Sequence, residues 1–160
     1  MAGINADFIN PFINGAINAF QTMAQVTKVT RKDMYIKGDR DVPGDVSGVM
    51  GLSGAATGSV AITLPHDLAK KLVANMLMMK PEDLSEEDMH DGVGEIINMI
   101  SGGAKSELRG GNYEFNISLP SIVSGSGHTI SNKSGTPCIV IVLSADGEEF
   151  YLQVSLAPSE

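Results

Sequence analysis

Apolar residues recur along this chain in two periods, and the alternation between them outlines the fold. Between Phe8 and Met23, the residues Phe12, Ile13, Ile17 and Phe20 fall three and four apart, which predicts a helix with one buried face. Pro11 is expected in its first turn, where a missing amide hydrogen is tolerated. Residues 26–45 are polar and mixed, and read equally as short strands or as loop. From Val46 to Pro65, VSGVMGLSGAATGSVAITLP sets two apolar runs either side of a small polar turn at residues 54–57, the pattern of a β-hairpin. HDLAKKLVANMLMM then returns to helical spacing, with Leu68, Leu72 and Met76 on one face and Pro81 closing it.

Ser85 starts a second long helix. A serine N-cap with Asp88 three residues on approximates a capping box, and Glu86, Glu87 and Asp88 suit the positive end of the helix dipole. The helix is expected to reach Leu108 and to stop at Gly110–Gly111. A strand-like YEFNISLP follows, then PSIVSGSGHTI, then a second hairpin, PCIVIVLSADGEEFYLQVSLA, turning at Asp146-Gly147. The order is helix, hairpin, helix, then helix, strands, hairpin, so the two halves echo each other. The layering this predicts is α+β: long helices packed on an antiparallel sheet, in one domain spanning residues 1–160.

The stretch DGVGEIINMISGGAK, residues 91–105, carries glycine at 92, 94, 102 and 103, although each glycine inside a helix costs roughly 1 kcal/mol against alanine. At about 100° per residue, Glu95, Asn98, Gly102 and Lys105 fall within about 40° of Asp91. Met89, Val93, Ile96, Ile97, Ile100 and Ala104 fall opposite, and this stripe is expected to face the core. Gly92 and Gly103 lie near the apolar stripe and suggest close packing of a neighbouring element. Gly94 and Gly102 lie on or near the polar stripe, where solvent gives no reason for glycine and a closely approaching partner does.

Composition narrows the functions open to such a face. Hydrophobic residues make up 42% and charged residues 19% of the 160, an ordinary globular balance, and with no tryptophan the core must be mostly aliphatic. The net charge of −8 excludes a phosphate backbone as partner, since Lys28, Arg31 and Lys32 are too few to outweigh the acids. The one cysteine, Cys138, cannot form an internal disulfide and fits a reducing compartment. There is no apolar run of membrane-spanning length, and the opening MAGINADFINPF lacks the basic segment of a signal peptide, so a cytoplasmic protein is expected.

Other chemistry finds little footing. His66, His90 and His128 have no partners at metal-ligand spacing. GSGH at residues 125–128 lacks the strand–serine–helix context of a nucleophile elbow. The glycines at 125, 127 and 135 are not followed by the Lys-Ser/Thr helix of a phosphate loop. MLMM at residues 76–79 reads as adaptable core or interface.

Asp91-x-x-x-Glu95-x-x-Asn98 on a glycine-rich helix, with Pro120 across a strand, resembles the signature of the CheC/CheX/FliY phosphatases. NPFINGAINAF, VMGLSGAATGSVAITLP and LPSIVSGSGHTI resemble the CheX branch, so the likeness runs over nearly the whole chain. CheC-type members carry two such motifs; here the first helix has Asn10, Asn14 and Asn18 but no acid, and the single motif suits CheX. The resemblance implies a pseudo-duplicated fold and a phosphatase acting on the aspartyl phosphate of a CheY-like response regulator. It implies that Asn98 positions the attacking water and that Glu95 pairs with a lysine of the receiver domain. Asp91, Gly94, Gly102 and Pro120 would support docking. No cofactor of its own is expected, because the receiver supplies the Mg²⁺. The CheX branch also implies a homodimer that continues the sheet between subunits, here through the apolar strands near Cys138 and Tyr151. A non-catalytic adaptor, binding a receiver or a motor component through the same helix, is the alternative from another class.

Overall fold

A computed structural model describes residues 6–132 and 136–159. Gly135 and the first five residues, on which the readings of a phosphate loop and of the N-terminus partly rest, lie outside them. Helix α1 (Ala6–Thr22) leads into β1 (Val29–Ile36), β2 (Gly44–Gly54) and β3 (Ala56–Leu64). Then come α2 (His66–Met76), a 3₁₀ turn at Pro81–Asp83, and α3 (Glu86–Glu107). The chain finishes with β4 (Phe115–Ile117), β5 (Ser121–His128), β6 (Ile139–Ala145) and β7 (Glu148–Pro158).

The seven strands form one antiparallel sheet in the order β1-β6-β7-β3-β2-β4, with β5 also paired to β2. This order shows the internal duplication. The two hairpins, β2–β3 and β6–β7, meet through β3 and β7, from Ala56 opposite Pro158 to Thr63 opposite Tyr151. Each half then lends its leading strand to the other: β1 pairs with β6, and β4 and β5 pair with β2. The sheet is therefore complete only when both halves are present.

All three helices contribute to one buried cluster against the sheet, with Phe12 and Phe20 from α1, Leu68 and Leu72 from α2, and Val93, Ile96, Ile97 and Ile100 from α3. Phe12 stacks on Phe115 and Phe20 on Phe150, with centroids 5.7 and 4.5 Å apart. Two close approaches explain glycines here. A Cβ on Gly15 would stand 2.7 Å from the Ile100 carbonyl oxygen, so α1 and α3 cross backbone to backbone. A Cβ on Gly92 would overlap the methyls of Val73, so α2 presses on α3 there, the packing role expected for that glycine. No helix among the described residues is long and apolar enough to cross a membrane.

Several expectations are corrected. Pro11 lies inside α1 rather than in its first turn, since the helix already runs from Ala6, and the same early start brings one acid, Asp7, into a helix expected to have none. Pro81 does not close α2: that helix stops at Met76, the chain turns through Met78 at φ 57°, and Pro81 opens the 3₁₀ turn. The ambiguous segment 26–45 holds β1, an edge strand whose residues Thr30–Asp33 are all exposed, which erases the alternation a strand normally shows. The strands near Cys138 and Tyr151 are β6 and β7. Both lie inside the sheet with a neighbour on each side, so neither can continue it into a second subunit.

Candidate functional site: an acid–amide face on α3

The site begins with a well-made helix start. The Ser85 hydroxyl accepts a hydrogen bond from the Asp88 amide at 3.0 Å, as the sequence pattern predicts. The cap sets the phase of α3, and the apolar stripe holds it: Met89, Val93, Ile96, Ile97, Ile100 and Ala104 are all buried. The opposite face is consequently forced outward, and Asp91, Glu95 and Asn98 are exposed. Among the described residues none of these three side chains has a hydrogen-bond or ion-pair partner within the chain.

They line a groove of about 340 Å³ whose other walls are His90, Gly94, Leu119, Pro120 and Ile122. Thus Asp91, Gly94, Glu95, Asn98 and Pro120 are brought together, while Gly102 lies a turn beyond and is not part of the lining. A Cβ on Gly102 would meet nothing within 4 Å, so its surroundings are open. Gly94 differs from expectation. It is buried, and a Cβ there would stand 3.5 Å from Pro120 Cγ and 3.7 Å from Ile122 Cδ1. The space beside Gly94 is taken by the chain's own Pro120 rather than kept for a visitor.

Pro120 reaches the helix because the outer edge of β2 is paired in two pieces. Strand β4 pairs Ile117 with Leu52, and β5 pairs Ser121 with Val49. Between those pairs, residues 118–120 stand opposite only Met50 and Gly51, so the edge carries one extra residue and bulges. Ser118 pins the bulge twice: its amide donates to the Gly51 carbonyl at 3.0 Å, and its hydroxyl accepts from the Gly51 amide at 2.9 Å. Leu119 is left 89% exposed. Helical periodicity cannot reveal this wall. Its one sequence signal is the Leu-Pro pair following a short strand-like run.

Of the three histidines only His90 lines this groove; His66 and His128 lie outside its lining. His66 Nε2 lies 2.8 Å from Glu86 Oε1, and His90 Nε2 lies 3.9 Å from Glu86 Oε2, a grouping that linear spacing did not suggest. His128 Nε2 lies 2.7 Å from Ser47 Oγ, a serine–histidine pair, but Ser47 is fully buried and also bonded to Thr63, so no substrate can approach it. The GSGH segment itself lies in β5, in strand context.

The sheet built from two exchanging halves, with the helices packed on it, is a fold shared with solved CheC-like proteins. A CheC-like superfamily protein from Shewanella sp. PV-4 superposes with a TM-score of 0.86 at 37% identity, covering 96% of this chain and 99% of that one. Residues 46–144 match the family model described as chemotaxis phosphatase CheX. The chemotaxis protein CheX from Vibrio vulnificus superposes at 0.85 with 37% identity, covering 95% and 100% of the two chains. The chain belongs to the CheX family. A more distant likeness, at 24% identity, TM-score 0.78 and coverage of 95% and 99%, is to the CheX of a CheX–CheY–BeF₃–Mg²⁺ complex from Borrelia burgdorferi, and it supports the fold. A search of curated protein sequences finds no significant match.

Proposed function

We propose that this protein hydrolyses the aspartyl phosphate of a CheY-like receiver domain, with Asn98 positioning the attacking water and Glu95 docking the receiver. The observation that carries the reading is the set of three exposed polar side chains, Asp91, Glu95 and Asn98, free of intramolecular partners and aligned on one rigid helix face in one groove. Exposed side chains that satisfy nothing within their own fold are available to another molecule. The partner follows from the family and from the Borrelia complex, in which CheX is bound to CheY with BeF₃ and Mg²⁺.

The chemistry asks little of this chain. Phosphoryl transfer depends on positioning and electrostatics, and the Mg²⁺ belongs to the receiver. The Asn98 carbonyl accepts a hydrogen bond from the water and fixes its lone pair in line with phosphorus. The water oxygen bonds to phosphorus, the bond to the receiver's aspartate oxygen breaks to leave a carboxylate, and both of the water's protons leave with the phosphate, which equilibrates with solvent. An amide does this without adding a negative charge beside the phosphoryl oxygens, as a carboxylate would. Glu95 lies one helical turn away on the same face and pairs with a receiver lysine, which sets the depth to which Asn98 enters. A cytoplasmic setting follows from that partner. Among the described residues a homodimer has two sheet edges to draw on, that of β1 and the outer edge formed by β4 and β5.

The test is phosphate release from CheY-type receivers charged with acetyl phosphate and Mg²⁺. Wild type accelerates release, and Asn98→Ala removes about a hundredfold or more of the acceleration while receiver binding persists. Undiminished release by Asn98→Ala would sink the water-positioning role. Binding of a receiver without any acceleration by wild type would make the protein an adaptor.

A further inference from the structure

We infer that Leu119 is the apolar anchor of the receiver interface: a rigidly presented side chain that inserts into an apolar depression on the receiver beside its phosphorylated aspartate. This rests on the function proposed above. A leucine 89% exposed is the most uncovered large aliphatic among the described residues. It is held out by three independent restraints. The bulge places one residue too many opposite Met50 and Gly51, so strand alternation cannot turn Leu119 onto either face of the sheet. Ser118 is tied to Gly51 by its amide and its hydroxyl, and the same hydroxyl lies 3.1 Å from the Leu119 carbonyl. Pro120 removes the next amide and confines Leu119 to extended backbone, while its own ring rests against α3 at Gly94.

The position selects the occupant. Leu119 lines the same groove as Glu95 and Asn98, so a receiver seated over Asn98 covers it. The helix wall of that groove is polar and acidic; Leu119 and Pro120 form its apolar lip. One desolvated apolar side chain ringed by polar contacts is the arrangement of an interface hot spot. Because the anchor is already ordered, little side-chain and loop entropy remains to be lost on binding.

The experiment compares wild type, Leu119→Ser and Leu119→Met in turnover of a charged CheY-type receiver, in affinity for that receiver with beryllofluoride and Mg²⁺, and in solution mass. Covering an exposed leucine corresponds to roughly ten- to a hundredfold in affinity. Leu119→Ser should therefore raise KM and Kd by at least about tenfold, with kcat falling less than twofold, the melting temperature unchanged, and Leu119→Met close to wild type. Unchanged KM and Kd in Leu119→Ser, with wild type active, would overturn the anchor and leave the phosphatase reading standing. So would a loss confined to kcat. A change in solution mass from dimer to monomer would show that a second copy, not a receiver, covers Leu119. Neither turnover nor binding by wild type would overturn both readings together.

Discussion

Pro120 closes over Gly94: its Cγ lies 3.5 Å from the point where a Cβ on residue 94 would stand. Through this contact an edge bulge of the sheet becomes the far wall of a groove on α3, and the distance from Leu119 to the Glu95–Asn98 face is set by packing rather than by a mobile loop. The contact has room for a methyl group and for nothing longer. Gly94→Ala should fold normally and gain up to about 1 kcal/mol of helix stability. Gly94→Leu must displace Pro120, and a displacement near 1 Å at a positioning site costs about a hundredfold in rate. Thermal melts beside phosphate release separate the two: Gly94→Leu keeping full activity would show that the wall has no part in positioning.

Glu95 has a different dependence. It is exposed and without a partner in its own chain, so its charge is available to a receiver cation. Glu95→Gln should raise KM about tenfold, the scale of one close interfacial charge pair. Rising salt should weaken wild-type binding and leave Glu95→Gln much less affected, since screening acts only on the charge that remains. Parallel salt slopes for the two proteins would exclude the pair.

The polar face of α3 was legible in the sequence because it depends on one helix. The Ser85 cap, the apolar stripe and the period place Asp91, Glu95 and Asn98 together without knowledge of any other element. Both hairpins were legible for the same local reason, and Asp146 and Gly147 do turn with positive φ, at 48° and 93°. What escaped depends on distant pairing. The interior places of β6 and β7 follow from strands β1 and β3, far off in sequence. The burial of Gly94 depends on Pro120, delivered by a register break that no local period records. β1 escaped for a simpler reason: an edge strand wet over most of its length has no alternation to read.

The clip at Asp146 predicts how the fold responds to acid. Its carboxylate accepts from the Thr27 hydroxyl at 3.0 Å and from the Lys28 amide at 2.9 Å, tying the β6–β7 turn to the connection between α1 and β1. The Thr27 hydroxyl, foremost, and the backbone amides of Lys28 and Thr27 hold the carboxyl below its ordinary range. A group whose folded pKa is lowered stabilises the fold fully above its unfolded pKa of about 4, and that contribution is lost as pH falls through the folded value. Asp146→Asn keeps a turn residue suited to positive φ and one acceptor oxygen for Thr27 and Lys28, and removes the charge together with the weaker second acceptor. Its melting temperature should lie below wild type at pH 7, and the gap should narrow under acid. A gap that persists undiminished at pH 2 would mean the charge is not its source.

Gly102 sets stability against binding most directly. It lies within α3, one turn past Asn98 on the same face, and a Cβ there would meet nothing within 4 Å. Gly102→Ala therefore gains the helix preference of about 0.8–1 kcal/mol with no clash to offset it. In a chain of this size that should raise the melting temperature by roughly 2–4 °C. A glycine kept at such a cost on an open face is explained if the receiver's backbone comes within reach of it. Gly102→Ala should then also raise KM, and Gly102→Leu should raise it further while remaining folded. If both variants bind a beryllofluoride-activated receiver as tightly as wild type, Gly102 lies outside the footprint, and the docked surface ends at the groove between Asn98 and Pro120.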